Sequence, residues 1–572
     1  MSIARINRES KRQLGQFLTP PLLAKKIVET IKIQNDSKIL EPSFGNGSFV
    51  FPLVEYLKKA GRRSKDISQQ IYGCEKDNKL FSQFTKHISA LYDNKYTLTN
   101  FHNTDFFKWI PQDKQIDFLD YSTYIKNNWG YFDLIIGNPP FGGTIEYAIQ
   151  DKLDKIYGYR GYEKIKKETY SFFLVKSFDL LKPKGQMVFI CSDTFLTINT
   201  MKGLRKLLMD NCDVEIESIP DCFADTNQNM VLLKVIKTGK KSLYIKFKDK
   251  IILRENIEKT PNLSWNISDE YTKYFSGDVL GNYIVATSGM TVGNNELFIR
   301  KIIDGYIYEP FKFEFFDEPI TLENERKKAR LNKLSKFQGK KIRQQEINGD
   351  TQRNVRWEQV ASSKRIKIPD ARYCYYNKAN NEIVYSKPQW VVFWENDGDA
   401  VRTFKKNGNW YLNGIGGQKY FKRSGFTWSL IANKIHTKFL SEGYILDSGS
   451  PCAFLRDGIG DDELYFIMAW TLTKRCNEIL KQVINHTRNI QGKDVERLPY
   501  PSWVDCHDKH LIIKKMKNLI NNACLGKRYV FDDLEIREFD NDFEYNEINT
   551  HKNKQIDKKV SLFDMPFNMW AR

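Results

Sequence analysis

Short apolar runs alternate with longer amphipathic segments over about residues 15–245. Apolar runs of strand length are typical of buried parallel strands, and the longer segments repeat their apolar positions at helical spacing. The strands predicted in this way are 38–40, 70–75, 96–100, 132–136, 186–192, 215–219 and 230–236. The helices predicted between them are 21–33, 48–60, 79–92, 170–181 and 201–210. This alternation predicts an α/β domain, built as a Rossmann-like, doubly wound, mostly parallel sheet.

The pattern changes after about residue 245, where the α/β rhythm fades and aromatic residues and glycines become dense. Seven tryptophans fall between 357 and 503. The stretch 532–547 is rich in acidic residues. We therefore predict a first domain at 1–245, a linker at 246–274, a mixed α+β domain at 275–525 and an acidic C-terminal tail at 526–572.

Composition narrows the class of protein. The chain has 572 residues, of which 41% are hydrophobic and 14% aromatic, so global disorder is not expected. A formal net charge of +19 indicates a polyanionic partner, most simply nucleic acid. Nine cysteines without a CxxC pair suggest a reducing cytoplasm. There is no signal-peptide pattern and no apolar run of about 18 residues, so we expect neither secretion nor a membrane span.

The tetrapeptide Asn138-Pro139-Pro140-Phe141 follows the predicted strand 132–136. Strand ends of this kind form the ligand-binding edge of open α/β sheets. Two successive prolines fix φ and remove two N–H donors, which leaves a stiff loop with available carbonyls. An asparagine beside such carbonyls can accept both hydrogens of one amino group. The motif suits chemistry on an amino nitrogen whose lone pair is conjugated, without selecting among adenine, cytosine and glutamine.

Three further motifs follow earlier predicted strands. Glu41-Pro42-Ser43-Phe44-Gly45-Asn46-Gly47 is a glycine-containing turn before a helix, where backbone can approach a ligand closely. Glu75 ends the second strand, where a carboxylate can accept hydrogen bonds from ribose hydroxyls. Asp105-Phe106 follows the third, where an acid can bind an adenine amino group and an aromatic can cover the ring. Their order along one sheet edge indicates a nucleoside-containing cofactor. Cys506–His510 lacks a second cluster at zinc-site spacing, so we expect no metal site.

With these motifs the chain resembles the gamma-class N6-adenine DNA methyltransferases of restriction–modification and phage-exclusion (BREX-type) systems. Gly15–Pro20 is similar to their N-terminal cofactor motif, and the order of motifs is that of the class. The resemblance implies an S-adenosylmethionine-dependent methyltransferase fold followed by a target-recognition domain that binds double-stranded DNA. It also implies a possible separate restriction endonuclease as partner, and a cytoplasmic, nucleoid-associated protein. Its cofactor residues would be Thr19, Glu41, Pro42, Phe44, Gly45, Gly47, Glu75, Asp105, Phe106 and Asn138.

The expected reaction is methyl transfer from S-adenosylmethionine to the N6 nitrogen of a flipped-out adenine. Asn138 and the carbonyl of Pro139 would accept the two amino hydrogens, in the stiff loop that Pro140 completes. Phe141 would stack on the extruded base, and Phe223, in a loop between two late strands, would close its other face.

Two sets of residues are predicted to contact DNA. Nine of the eighteen residues from 326 to 343 are lysine or arginine and none is acidic, which suits phosphate binding. We assign phosphate contacts to Arg326, Lys327, Lys328, Arg330, Lys340, Lys341 and Arg343. Arg488, Asn489 and Gln491 are candidates for reading base edges, because arginine pairs with guanine and Asn or Gln with adenine.

Other functions remain open from the sequence. An N4-cytosine methyltransferase would use the same chemistry, although such enzymes more often have serine at the position of Asn138. An RNA or protein amino-methyltransferase can carry the same tetrapeptide, but neither readily explains the large basic, aromatic second domain. A bifunctional nuclease would need a metal-binding carboxylate set that we do not find, and a silent DNA-binding subunit would not need intact motifs at Glu41–Gly47 and Asn138–Phe141.

Overall fold

The structure is a computed structural model of the full chain. It describes residues 18–91, 99–111, 130–140, 147–160, 163–166, 169–219, 229–319, 351–406, 409–410, 417–527 and 534–544. The chain divides into two compact units, Met1–Thr272 and Lys273–Arg572.

The first unit is built on a nine-stranded sheet. Its strands are β1 (Ile39–Glu41), β2 (Ile71–Glu75), β3 (Phe101–Asn103), β4 (Phe132–Gly137), β7 (Leu181–Ser192), β8 (Cys212–Ser218), β9 (Met230–Lys237), β10 (Tyr244–Phe247) and β11 (Lys250–Leu253). A small separate hairpin contains β5 (Tyr159–Arg160) and β6 (Glu163–Lys164). The order across the large sheet is β11-β10-β8-β9-β7-β4-β1-β2-β3. Five strand pairs are parallel, whereas β9 runs antiparallel to β7 and β8, and β11 antiparallel to β10.

The strand order reverses between β1 and β4. The chain proceeds from β1 outward to β2 and β3, and then returns to add β4 on the other side of β1. Ligands of open α/β sheets bind at such a reversal, outside the carboxyl ends of the strands. The turn after β1 and the tetrapeptide after β4 therefore lie side by side at the expected position.

Helices bury the apolar faces of this sheet. They are α1 (Pro21–Glu29), α2 (Val50–Lys59), α3 (Ser64–Gln70), α4 (Asn78–Leu91), α5 (Tyr147–Tyr157), α6 (Thr169–Leu180), α7 (Lys202–Asn211), α8 (Arg254–Lys259) and α9 (Asp269–Thr272). One core cluster joins α1 and α2 to the sheet through Ala24, Leu53, Ile39 and Ile136, all at most 1% exposed. The predicted doubly wound, mostly parallel fold is confirmed.

The predicted elements agree with the structure within a few residues, except at β3. The sequence places this strand at 96–100, whereas the structure forms it at Phe101–Asn103 and has a turn at residues 99–100. Pairing decides the position, because Gly73 of β2 lies opposite Phe101 and the ring of Phe101 packs on Phe44 and Phe84. Period-2 patterning cannot fix so short a strand.

Most of the segment 246–274, predicted as a linker, belongs to the first unit, which ends at Thr272. Strand β10 pairs with β8, and β11 extends the sheet by one further strand. Beyond them, Trp265 is fully buried, with its Nε1 donating to Met209 Sδ at 3.1 Å. The buried Arg205 of α7 donates to the carbonyls of Asn262 (2.5 Å) and Leu263 (2.9 Å). These contacts show a packed extension of the sheet, whose short strands and polar loops hide it in the sequence.

The β10–β11 hairpin leaves apolar side chains in contact with solvent. Leu243 is 78% exposed and Ile251 65%, and Tyr244 and Leu253 are about half exposed. In the described part of the chain, β11 is the last strand on this side of the sheet.

The second unit has mixed α+β structure, as predicted. Its strands are β12 (Ile284–Thr287), β13 (Ile299–Lys301), β14 (Tyr306–Pro319), β15 (Thr351–Lys367), β16 (Tyr373–Asn377), β17 (Val384–Tyr385), β18 (Trp390–Phe393), β19 (Lys405–Lys406), β20 (Asn409–Trp410), β21 (Gly425–Thr427), β22 (Lys438–Leu440), β23 (Tyr444–Leu446) and β24 (Cys452–Leu455). One sheet has the order β12-β24-β21-β22-β17 and another β13-β18-β16-β23, while β14 and β15 form a long hairpin.

Helices complete this unit. They are α10 (Asn295–Phe298), α11 (Glu395–Thr403), α12 (Asp462–Leu472), α13 (Lys474–Ile479), α14 (Gly492–Glu496), α15 (Cys506–Cys524) and α16 (Leu534–Asp542). A π-helical segment, Leu480–Ile484, follows α13. Trp428 and Trp470 are fully buried and donate to the carbonyls of Ile490 and Pro499 at 3.0 and 2.9 Å. These two tryptophans therefore belong to the core of the unit, whereas Trp357 is 47% exposed.

The predicted acidic tail is partly folded. Helix α16 lies within it, and Phe539 and Phe543 are 1% and 2% exposed. The ring of Phe543 packs on Phe466 and Trp470, and its carbonyl accepts a hydrogen bond from Trp503 Nε1 at 3.2 Å. Phe539 and Phe543 thus pack this acidic segment against the rest of the unit.

No helix in the described ranges is both long enough and apolar enough to span a bilayer.

Trp265→Ala tests whether 246–274 is structural. We expect the free energy of unfolding to fall by about 3–5 kcal/mol, because the substitution opens a large cavity in a packed core. Chemical denaturation of the full chain measures this loss, and Leu243→Ala at an exposed site is the control. Equal stability of the two variants would restore the linker interpretation.

Candidate active site

The turn after β1 contains two glycines in a backbone conformation that other residues rarely adopt. Gly45 and Gly47 have φ of +55° and +89°. A Cβ on Gly47 would meet the rings of Phe51 and Phe84 at 2.7 Å. The Gly47 N–H donates to the Phe44 carbonyl at 2.7 Å, which closes the turn before α2 begins at Val50. The sequence therefore forms a tight turn whose backbone lies at the edge of the sheet.

Glu75, at the end of β2, fixes this turn. One of its oxygens accepts from the Gly45 N–H at 2.8 Å and the other from the Asp77 N–H at 2.7 Å. Glu75 is only 8% exposed, and this burial raises the pKa of its carboxyl group. The two backbone hydrogen bonds act in the opposite direction and favour the ionised form.

Glu41, at the end of β1, is a second buried acid beside the first. It is 2% exposed, and its Oε2 has no hydrogen-bond partner within the described ranges. Burial raises the pKa of Glu41 well above its ordinary value, and the neighbouring charge of Glu75 raises it further. Two carboxyls close together and out of water create a site that favours a cationic group.

Asn138 lies across the strand reversal from this acid pair. Its Nδ2 donates to Thr19 Oγ1 at 3.2 Å, and its backbone carbonyl accepts from Ser43 Oγ at 3.3 Å. Thr19 itself is 5% exposed, and only Pro20 separates it from the start of α1. These bonds join the N-terminal motif, the glycine turn and the tetrapeptide. They also set the amide orientation, since an Nδ2 that donates to Thr19 leaves Oδ1 as the acceptor atom.

Asp105 caps the short 3-10 helix Phe106–Lys108 after β3. Its Oδ1 accepts from the Phe107 N–H at 3.0 Å, and its Oδ2 pairs with Lys76 Nζ at 3.1 Å. Asn103 Nδ2 donates to the Glu75 carbonyl at 2.8 Å, which joins the ends of β2 and β3. The predicted acid therefore stands one strand further along the same edge as Glu75.

Phe44 and Phe106 are each only 2% exposed. Phe44 packs on the rings of Phe84 and Phe101, and Phe106 packs on Phe173 at a centroid distance of 4.9 Å. Both aromatics belong to the core beneath the edge. Their contact with a cofactor remains a prediction, and the structure adds a packing role that the motif alone did not indicate. Pro42, whose ring lies against the Gly137 position, is buried as well.

Lys176 of α6 is a buried residue that the sequence reasoning missed. It is 1% exposed, and its Nζ donates to the carbonyls of Phe106 (2.5 Å) and Trp109 (2.6 Å). Burial lowers the pKa of its ammonium group to about 7. Lys176 thereby ties the loop that carries Asp105 to a helix. Its signal in the sequence is a lone lysine in the mostly apolar stretch 170–178.

Several predicted residues lie outside the described ranges. They are Phe141, Phe223 and the basic set Arg326, Lys327, Lys328, Arg330, Lys340, Lys341 and Arg343. Pro139 and Pro140 are described and continue from Asn138 without regular structure. The described residues contain no group of three or more His, Cys, Asp or Glu side chains arranged to bind a metal.

Arg488, Asn489 and Gln491 are exposed on one loop of the second unit. Asn489 forms an antiparallel bridge with Ile431, and the Ala432 N–H donates to the Arg488 carbonyl at 2.8 Å. Gln491 Nε2 donates to Asn489 Oδ1 at 2.8 Å. The three side chains thus share a loop that backbone bonds hold in place, and their contact with DNA remains a prediction.

Part of the first unit matches a known protein family. Residues 55–222 match the family described as "Eco57I restriction-modification methylase". The first unit contains an Eco57I-type restriction-modification methylase domain. The matched residues run from α2 to the loop after β8, and so include Glu75, Asp105 and the tetrapeptide, whereas Thr19 and the turn after β1 precede them.

Curated relatives of this methylase domain have the same character. The chain is 30% identical over 228 residues to type II methyltransferase M.BstVI of Geobacillus stearothermophilus, covering 36% of this chain and 39% of that protein. It is 26% identical over 235 residues to M.HincII of Haemophilus influenzae, covering 40% and 38%. The aligned part of the chain thus spans about two fifths of the length of these relatives.

A solved structure extends the likeness of fold beyond the methylase domain. A nuclease-deletion mutant of the type ISP restriction-modification enzyme LlaGI, in complex with a DNA substrate mimic, has a TM-score of 0.52 and 13% identity. The match covers 88% of this chain and 47% of that one. Both units therefore have counterparts of similar fold in one larger protein.

The edge of the methylase domain fits S-adenosylmethionine. That cofactor carries a sulfonium and an ammonium group. The buried Glu41–Glu75 pair suits a cation, since one oxygen of Glu41 has no partner among the residues that the structure describes. The backbone of the Gly45–Gly47 turn lies beside these acids and can approach a ligand closely. Which of these groups contacts the cofactor remains a prediction.

Glu41→Gln should stabilise the protein in the absence of ligand, increasingly as the pH rises above 4.5, the ordinary pKa of the group. A raised pKa means that the folded state holds the proton more tightly than the unfolded chain does. The stability from this proton is complete below 4.5 and is lost as the pH rises through the raised value. Glutamine does not titrate, so the variant does not lose stability in this way as the pH rises.

Urea denaturation at several pH values between about 4 and 8 measures the difference. Glu75→Gln is a contrasting variant and should destabilise the protein by roughly 1–3 kcal/mol, because Glu75 accepts two backbone N–H groups. A Glu41→Gln variant whose pH dependence equals that of the wild type would contradict the raised pKa.

Proposed function

We propose that this protein is a site-specific DNA methyltransferase that transfers a methyl group from S-adenosylmethionine to the N6 nitrogen of an adenine flipped out of duplex DNA. The observation that carries the proposal is the joining of Thr19, Ser43 and Asn138 beside the buried acid pair, at the strand reversal of a methylase domain. The relatives named as type II methyltransferases support the same reaction class.

The tetrapeptide would act by accepting hydrogen bonds. The lone pair of the N6 nitrogen is conjugated with the ring, so the nitrogen is a poor nucleophile. Asn138 Oδ1 and the Pro139 carbonyl would accept its two hydrogens, favour a tetrahedral nitrogen and free the lone pair for attack. S-adenosylmethionine, when bound, supplies an electrophilic methyl group on a positively charged sulfur. The protein contributes position and preorganised dipoles and needs no strong base.

Extrusion of the base costs a few kcal/mol, which aromatic stacking offsets at roughly 1–3 kcal/mol per base. Phe141 and Phe223 remain the predicted stacking partners. The second unit would recognise the DNA target, with Arg488, Asn489 and Gln491 on its exposed loop as candidate contacts. A separate restriction endonuclease remains a predicted partner, and the cytoplasm the predicted location.

The direct test uses labelled S-adenosylmethionine with duplex DNA, RNA and protein as acceptors. We expect label in DNA, recovered as N6-methyladenine after digestion to nucleosides and mass spectrometry. Asn138→Ala is the paired variant: it should abolish transfer and leave the affinity for DNA unchanged. Label recovered as N4-methylcytosine, or only in RNA or protein, would overturn the proposal.

Thr19→Val tests the positioning of Asn138. The variant loses the acceptor of the Nδ2 bond, so we expect kcat to fall roughly 2- to 10-fold, the value of one neutral hydrogen bond. The KM for DNA should change little, and Thr19→Ser, which keeps the hydroxyl, should restore most of the rate. Equal kinetics for the valine and serine variants would show that the bond does not matter.

A further inference from the structure

A small pocket in the second unit has a basic lining. It lies where the loops after β16 and β17 meet β22, and Lys378, Lys387 and Lys438 line it together with Asn380, Gln389 and Trp390. No aspartate or glutamate is among the described residues that line it. Three ammonium groups around one concavity, without an acid in its lining, indicate an anionic ligand.

Lys438 is the residue that gives the pocket its character. It is 2% exposed, and its Nζ donates to Asn380 Oδ1 at 2.7 Å. No carboxylate within the described ranges forms an ion pair with it. Glu382 acts on it electrostatically but is exposed and does not line the pocket. Burying a cation without an anion is unfavourable, and proteins normally pair or coordinate such a charge.

The walls of the pocket are held in fixed positions. Asn380 Nδ2 donates to Ser386 Oγ at 2.9 Å, and the Asn380 carbonyl accepts from Ser429 Oγ at 2.9 Å. The ammonium of Lys378 lies 4.7 Å from the centre of the Trp390 ring, which orients it. The polar groups are therefore already placed before any ligand arrives.

The backbone beside Lys438 is strained. Val384 is fully buried with φ of +64°, which is rare for a β-branched residue. It pairs with Lys438 across β17 and β22, and its N–H donates to the Thr437 carbonyl at 2.9 Å. This conformation directs the chain into Ser386 and Lys387 at the pocket. Strain of this kind persists where surrounding structure holds it and is concentrated at functional sites.

We propose that this pocket binds a phosphate group of the DNA backbone, with Lys438 at its base and Lys378 and Lys387 at its rim. The enclosed part of the pocket has a volume of about 20 Å³, which is room for one atom of the size of a phosphate oxygen. The assignment of DNA as the source of the phosphate rests on the proposed function. Burial lowers the pKa of Lys438 to about 8, so the group is still mainly cationic at neutral pH.

The salt dependence of DNA binding tests the site. The slope of log K against log salt should fall by about 0.9 for each lost phosphate contact. Lys438→Met, which removes the base of the site, should lower the slope by up to that amount, Lys387→Gln should lower it by a part of that amount because two lysines remain, and Lys438→Arg should keep it. Lys514→Gln is the matched control, since Lys514 is an exposed lysine on α15 of the same unit. Fluorescence anisotropy with labelled duplex DNA provides the measurement on the full chain.

If Lys438→Met does not fold, Lys387→Gln still tests the proposal, because Lys387 is exposed. Wild-type slopes for Lys387→Gln and for every folded Lys438 variant would overturn the proposal. A second arm measures thermal stabilisation by inorganic phosphate against chloride at equal ionic strength. Stabilisation of the wild type alone, with unchanged DNA slopes, would mean a free-phosphate site and would overturn the assignment to DNA.

The two proposals fail in different ways. Absence of methyl transfer to any DNA, with slopes that still separate the pocket variants from Lys514→Gln, removes the proposed reaction and leaves the phosphate site standing. Methyl transfer to adenine with identical slopes removes the phosphate site alone.

Discussion

The hydrogen bond from the Gly45 N–H to the Glu75 carboxylate is the constraint on which the candidate site depends. It joins the turn after β1 to the end of β2, and it requires a buried acid at a sheet edge. The same turn carries Ser43, which bonds to Asn138 after β4. Two hydrogen bonds made by one turn therefore join three segments that are far apart in the sequence.

This arrangement carries an energetic conflict. Glu41 and Glu75 are both removed from water, and the pKa of each is raised because the charged forms are poorly solvated. Without a ligand, Glu41 retains an oxygen that no described group satisfies. A site of this kind is less stable than it could be and gains most from a cation that enters it. Affinity for the cofactor would then derive in part from relief of an existing penalty.

The sequence predicted those parts of the fold that are determined by local pattern. Buried parallel strands produce continuous apolar runs, so β1, β2, β4 and the longer helices α2 and α4 could be located, and the motifs at the strand ends followed. The short helix α3 was not predicted. Strand β3 was displaced because a three-residue strand takes its position from β2. The extension at 246–274 was missed because its packing depends on Arg205 and Trp265, which meet only in the folded unit. Lys438 could not be assigned for the same reason, because nothing around it in the sequence shows that it is buried. Lys176 has only a weak signal, its place in a mostly apolar helix.

Part of the positive charge of the chain lies on the β10–β11 hairpin, where it acts on strand pairing. Its outer strand is a sheet edge in the described part of the chain and carries the exposed Ile251 and Leu253, a combination that favours pairing with another chain. Lys246, Lys248 and Lys250 are exposed on the same hairpin. Like charges on two such edges repel each other, so lysines at this position disfavour edge-to-edge pairing. Part of the net charge of +19 therefore lies at a sheet edge, where it bears on self-association as well as on nucleic-acid affinity.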